Sequence, residues 1–221
     1  MSEQKSFVAS PEAKSKALKL RIFAFVSWLA AMGGQAYAIF NLISDEMMMW
    51  LIGAIIAILI LAITGSWLWK KANRLDPASE KDTIRFFVQN QLGAIMGVLA
   101  FLPLVVLIFT NKKISGKTKG IAGSIAAVAM VAAGITGADF NPPSVEKYTE
   151  EINQQTTELK ELTQANDHVY WSSAGNKYHI DEDCYHIKNR DLSSGTVKES
   201  WEQKGISELC KTCKKRALKE K

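Results

Sequence analysis

Residues 47–69 read MMMWLIGAIIAILILAITGSWLW, with no Asp, Glu, Lys or Arg among them. From Leu51 to Ile63 the run is apolar on every side of a helix. A helix on the surface of a soluble core keeps a polar face, so hydrocarbon is the better solvent for this one. Crossing a hydrocarbon layer about 30 Å thick takes roughly 20 residues, and the run has that length. Trp50 near one end and Trp67 with Trp69 near the other suit the two membrane–water interfaces, where indole rings gather.

Three further runs, 22–43, 86–110 and 120–137, also lack Asp, Glu, Lys and Arg and approach or exceed spanning length. The predicted fold is therefore an all-α transmembrane bundle of four helices over residues 22–138, with the lipid bilayer as its partner. A helical linker and a small α+β zinc-binding module follow. Residues 1–21 form a polar, basic tail, and no small-residue cleavage site follows the first run, so that run is read as a retained span. Ser10-Pro11-Glu12 predicts a helix start, with Ser as cap and Pro at the first helical position. Gly33, Gly34, Gln35 and Asn41 suit packing against a neighbouring helix. Ser44-Asp45-Glu46 leaves room only for a tight reversal, which makes the first two spans a hairpin. Ser79-Glu80-Lys81-Asp82 has the spacing of a capping box for the third helix, whose start is made polar by Gln89-Asn90-Gln91 and which Pro103 kinks.

Cations set the orientation. Lys5, Lys14, Lys16, Lys19 and Arg21 of the tail fall on the same side as Lys70, Lys71, Arg74, Lys81 and Arg85 after the second span. Lys112, Lys113, Lys117 and Lys119 face them from the other side. Ten against four predicts a multi-pass cell-membrane protein with both termini in the cytoplasm. If the fourth run, rich in Ala and Gly, failed to span, the C-terminal module would lie outside.

Asn141-Pro142-Pro143-Ser144 ends the bundle, because consecutive prolines cannot continue a helix. Residues 139–167 then hold this linker and a polar helix over 145–165, in which Val145, Tyr148, Ile152, Leu159 and Leu162 form a stripe that Gln155 interrupts. That helix is either a solvated spacer or the contact of a homodimer or another protein partner.

Residues 168–221 contain all three cysteines. Cys210-Lys211-Thr212-Cys213 places two thiols on one turn, and His179 with Cys184 supplies two donors from a second segment. Three Cys and one His are the ligand set of a closed structural zinc site. A disulfide between Cys210 and Cys213 would strand Cys184, which disfavours an oxidised framework. His186, two residues after Cys184, competes for the fourth place; Tyr178-His179 at the end of a short strand favours His179. Val169-Tyr170-Trp171 reads as a first strand, residues 172–176 as a turn and residues 177–180 as a second strand.

This order of aromatic strand, turn, Lys177-Tyr178-His179, Cys184, a short helix closed by Gly205, and Cys210 with Cys213 resembles the small metal-binding module of the bacterial Ada DNA-repair protein. Four spans, a Pro-Pro linker and this module together also look like a group of membrane proteins of Gram-positive bacteria. The resemblance implies zinc held by His179, Cys184, Cys210 and Cys213. In the repair protein all four ligands are Cys and the first accepts a methyl group from a DNA phosphotriester. His179 stands at that place, and an imidazole is no thiolate nucleophile, so methyl transfer is expected to be absent.

The leading functional expectation is thus a non-enzymatic membrane protein whose zinc module binds or regulates. Lys211, Lys214, Lys215, Arg216, Lys219 and Lys221 make its end basic, which suits nucleic-acid phosphates or an anionic leaflet, while Asp181-Glu182-Asp183 repels them. Transport or membrane enzymology ordinarily needs ionisable groups within the spans; these have none, and Asp139 just beyond the fourth is the nearest acid.

Overall fold

In the computed structural model, which describes residues 6–206 and 208–219, the first helix starts as its cap predicts. Ser10 Oγ accepts from the Ala13 amide at 3.1 Å, and α1 runs Pro11–Asn41. Lys5 and Lys221, counted among the cations above, lie outside the described residues. Ser44 Oγ accepts from the Met47 amide just before α2 (Met48–Leu75). The third apolar run is two helices, α3 (Thr83–Leu99) and α4 (Leu102–Thr110), because Pro103 has no amide hydrogen to continue the ladder. In the fourth, a short α5 (Gly116–Thr118) passes through a π turn at Lys119–Gly123 into α6 (Ser124–Gly137).

The stretches Pro11–Asn41, Met48–Leu75, Thr83–Thr110 and Gly116–Gly137 are long and apolar enough to cross a membrane, and no more than 39% of the apolar window of any of them is buried. Large side chains such as Phe23, Leu29, Phe40, Ile60 and Val128 point outward. The interior they leave is small and tight, with Leu51, Ile55, Ile58, Phe101, Leu104 and Ile108 packed among alanines of α1, α2 and α6.

α3 and α6 meet backbone to backbone. A Cβ at Gly93 would lie 2.7 Å from the Gly137 carbonyl oxygen, and one at Gly97 would lie 2.7 Å from that of Ala133. Polar groups cluster at one end of the bundle, where Trp69 Nε1 and Asn73 Nδ2 both donate to the Gln89 carbonyl, at 2.6 and 2.7 Å. Trp69 therefore differs from the interfacial placement its position in the sequence predicts. It is buried against Trp28 and Phe25, whereas Trp50 and Trp67 are exposed. In the α1–α2 turn, the Asp45 carboxylate accepts from the Ser115 amide and hydroxyl. Hydrogen bonds from Thr118 and Ser115 hold its pKa below the usual carboxylate value.

Contacts divide the chain into two compact units, and composition alone draws the boundaries elsewhere. One unit is Ala17–Asn73 with Thr83–Pro142. The other gathers the described parts of segments 1–16, 74–82 and 143–221, so the tail and the linker helix belong with the C-terminal module. In this second unit Ser144 caps α7 (Val145–Leu162), accepting from the Lys147 amide at 3.0 Å. The helix stops short of its predicted end at 165, where Gln164 and Ala165 take left-handed φ values of 54° and 74°.

The apolar stripe of α7 is occupied within the chain. Ile152 and Leu159 are buried with Phe7, Ala13, Trp171, Val197 and Trp201, and Phe7 meets the Tyr148 ring edge-on at 5.2 Å. Gln155 belongs to the same contact, because its Oε1 accepts from Tyr178 Oη and Trp201 Nε1 at 3.1 and 3.3 Å. Ser79 does not cap α3. Its hydroxyl donates to the Glu146 carboxylate, which also accepts from the Glu80 amide at 2.8 Å, so the α2–α3 connection is fastened to α7.

β1 (His168–Ser172) pairs antiparallel with β2 (Leu192–Thr196), Tyr170 opposite Ser194. α8 (Val197–Lys204) opens with a capping box of Thr196 and Glu199 and closes at Gly205, whose φ of 66° favours glycine. α9 spans Lys211–Lys219. The predicted second strand at 177–180 forms single bridges, Tyr170 with His179 on the free edge of β1 and Tyr178 with Leu209, while β2 pairs with β1 along its whole length.

Gly93→Ala forces the α3 and α6 backbones apart and is expected to destabilise the detergent-solubilised chain by about 1–3 kcal/mol. Gly53→Ala, inside α2 with no atom within 4 Å of the new Cβ, costs nothing and gains up to about 1 kcal/mol from the lost glycine freedom. Thermal unfolding of the two variants side by side measures the difference.

Candidate metal centre

Backbone pairing on two sides of a dipeptide builds the centre. The His179 amide donates to the Tyr170 carbonyl at 2.7 Å, and the Tyr170 amide returns a bond to His179 at 2.8 Å. One residue earlier the amide of Tyr178 donates to the Glu208 carbonyl at 3.0 Å, and its carbonyl accepts from the Cys210 amide at 2.9 Å. The segment 177–180 thus lies between β1 and the residues that lead into α9. His179 and Cys210 are brought together although thirty-one positions separate their numbers.

The other two ligands come from turns. Cys210 immediately precedes α9, where its carbonyl accepts from Lys214 N, and Cys213 lies in the first helical turn. Cys184 ends a turn closed by its amide on the Asp181 carbonyl at 3.2 Å. His179, Cys184, Cys210 and Cys213 are all buried, and their donor atoms lie within 4.8 Å of one another. Zn–S near 2.3 Å and Zn–N near 2.05 Å make the N···S edge of a tetrahedron about 3.6 Å. Cys213 Sγ and His179 Nδ1 stand 3.7 Å apart. This group can hold a metal ion.

The electrostatics suit a cation at the middle. Burial opposes charge on Cys210, but amides of Cys213 and Thr212 aimed at its sulfur outweigh that and hold its thiol below its ordinary value. Burial also pushes the Cys213 thiol up to about 12, with the adjoining Cys184 sulfur adding to it, against the amides of Ile180 and Asp181. Burial, then the nearby His186 and Lys177, lowers the His179 pKa and keeps the imidazole lone pair available. Three sulfurs so close in a dry site cannot all ionise alone; a divalent ion removes that conflict. Four protein donors are the number that fills a tetrahedral site.

His186 is placed apart from this group. Its Nε2 is 3.1 Å from Thr212 Oγ1, and its ring centroid is 6.4 Å from that of His179. Part of the basic terminus is already matched by acids, Arg216 with Asp181 at 2.8 Å and Lys214 with Glu158 of α7. Asp139 lies buried beyond α6, one carboxylate oxygen accepting from the Asn141 amide at 3.3 Å. Tyr178 escapes a reading of ligand spacing because its backbone does the positioning, while its buried hydroxyl is held well above the ordinary phenol value by burial and by Glu158.

Set against known proteins, the chain matches no protein-family model, no curated sequence and no solved structure. The likeness of residues 168–221 to the Ada-type module therefore rests on the motif alone.

Cys184→Ser in the full-length chain is expected to abolish stoichiometric metal binding, measured by elemental analysis of the detergent-purified protein. His186→Ala should keep it. Equal loss in both variants would shift the fourth ligand to His186.

Proposed function

We propose that this chain is an integral membrane protein of four spans whose C-terminal unit carries one structural Zn2+ on His179, Cys184, Cys210 and Cys213. The unit serves binding or regulation and no chemical transformation. The observation that carries this reading is the convergence of four buried donor atoms within 4.8 Å of one another, the number that fills a structural zinc site. Three thiolates with one imidazole favour zinc over hard cations, which take oxygen ligands. His179 also supplies no thiolate to accept a methyl group, which supports a role other than alkyl transfer.

Support for the membrane reading comes from the outward apolar surface of the four long helices. The tail, the α2–α3 connection and the C-terminal segment fold into one unit. A chain threaded four times through a bilayer delivers those three segments to the same face. The excess of Lys and Arg in the tail and that connection supports a cytoplasmic face, where reducing conditions keep cysteines available as ligands. Nucleic-acid binding at the membrane is the weaker alternative, since Arg216 and Lys214 are engaged with acids.

Two measurements on the full-length protein test this reading. Elemental analysis should find one zinc per chain. Chelation should raise amide hydrogen exchange in 181–190 and 208–216, whose small buried cluster consists of the three cysteines and Ile187, while α3 and α6 stay protected. In intact cells, a membrane-impermeant maleimide should label Lys113→Cys directly and Lys215→Cys only after permeabilisation. A soluble, metal-free product, or labelling of position 215 from outside, defeats the proposal.

A further inference from the structure

Next to the metal centre, on the side of His179 and Cys210, lies a cavity of about 450 Å3. That is the size of a small-molecule site. Its lining combines Ser172, Lys177, His186, Arg190, Lys211 and Thr212. No carboxylate is among the described lining residues, although Asp and Glu make up 22 residues of the chain. Lys177 reaches Glu208, whose carboxylate also feels the charge of Lys211, and Arg190 and Lys211 are exposed cations on two different segments.

A second feature points to a ligand independently of charge. Ser172 is 1% exposed and its Oγ has no hydrogen-bond partner among the described residues. A buried hydroxyl left without a partner is costly, and a bound group or an ordered water that accepts from it removes the cost. Gly175 forms part of the same wall, and a Cβ there would lie 2.8 Å from that hydroxyl. With no side chain at Gly175, the loop backbone packs directly beside the Ser172 hydroxyl at the cavity wall. The first amides of α9 are not available as donors, because those of Thr212 and Cys213 face the Cys210 sulfur.

We propose that this cavity binds a phosphate group of a small molecule, with Arg190 and Lys211 supplying charge and Ser172 and Thr212 supplying hydroxyl donors. A zinc ion with three thiolates would carry one net negative charge and Glu208 another. Against these stand the three cations Lys177, Arg190 and Lys211, and the described lining itself carries no carboxylate. Exposed Glu182 and Asp183 beside the site repel a long polyanion, which favours a small phosphate monoester over a continuous phosphodiester strand. The inference rests on the reading of the C-terminal unit as a metal-stabilised binding module.

The test uses the full-length protein, zinc content measured on the same sample, in nanodiscs of phosphatidylcholine. Equilibrium dialysis with labelled inorganic phosphate and glycerol phosphate should show saturable binding of one equivalent. Arg190→Gln and Lys211→Gln should each weaken it about tenfold or more, as expected for loss of a charge-assisted hydrogen bond, with zinc content unchanged. Gly175→Ala should weaken it by crowding Ser172, whereas Lys215→Gln on the outer part of α9 should not change it. Repeating the dialysis in nanodiscs containing phosphatidic acid separates the sources: competition by the lipid assigns its headgroup, and no competition assigns a soluble ester. No saturable binding by zinc-loaded protein up to about 10 mM phosphate ester, roughly tenfold above the weak end of metabolite sites near 1 mM, or binding indifferent to both Gln variants, overturns the inference alone. A zinc-free chain overturns the metal reading instead. Displacement of the ester by single-stranded DNA at about one-hundredth of the ester's concentration would overturn the small-molecule assignment in favour of nucleic acid.

Discussion

The C-terminal unit depends on the two peptide groups of Tyr178 and His179, which hydrogen-bond in opposite directions, His179 to β1 and Tyr178 to the residues entering α9. Successive residues of an extended chain direct their amide and carbonyl to alternate sides. A single short segment can therefore join two neighbours, and here it sets the separation between the His179 imidazole and the Cys210 sulfur. Side-chain chemistry is added to a position that backbone pairing has already determined. The same alternation places the Tyr178 ring against α7, where Gln155 accepts from it and from Trp201. The metal centre and the aromatic core thus share one strand-like piece of chain.

Around that piece the unit has two apolar clusters of different character. Trp171, Tyr178, Val197, Trp201 and Leu159 form a core that buries area without an ion. Cys184, Cys210, Cys213 and Ile187 form a second one too small to hold its turns by burial alone. Segments distant in sequence complete the first cluster, among them Phe7 ahead of α1 and Ala13 in its first turn. In the bundle the corresponding constraint is close approach: where Gly93 and Gly97 face the carbonyls of Gly137 and Ala133, helices touch through backbone, and dispersion between well-fitted surfaces stands in for a hydrophobic driving force.

Much of this is legible along the chain because it is local. Ser10 with Pro11, Ser144, and Thr196 with Glu199 and Gly205 act within one turn of themselves, and each lies at its helix boundary. The four ligands share the same advantage, since Cys210-x-x-Cys213 and His179-x4-Cys184 are two local pairs that need only meet. Ser79 shows where locality fails. Its spacing to Asp82 is that of a cap, yet Glu146, sixty-seven residues away, competes for the hydroxyl. Trp69 fails in the same way, because an indole at the end of an apolar run can sit at an interface or turn inward, and the Gln89 carbonyl draws it inward.

The sequence by itself determined the four apolar helices, the breaks at Pro103 and at Pro142 with Pro143, and the presence of a Cys3His donor set. Those follow from side-chain polarity, ring closure of proline and thiol chemistry, which residues carry wherever they are. Only the tertiary structure decided that His179 and not His186 meets the three sulfurs, that the stripe of α7 is covered from within, and that the tail and the α2–α3 connection join the C-terminal unit. Each of those is a competition between partners far apart in the chain. Its outcome is set by backbone pairing and space, which the order of residues does not display.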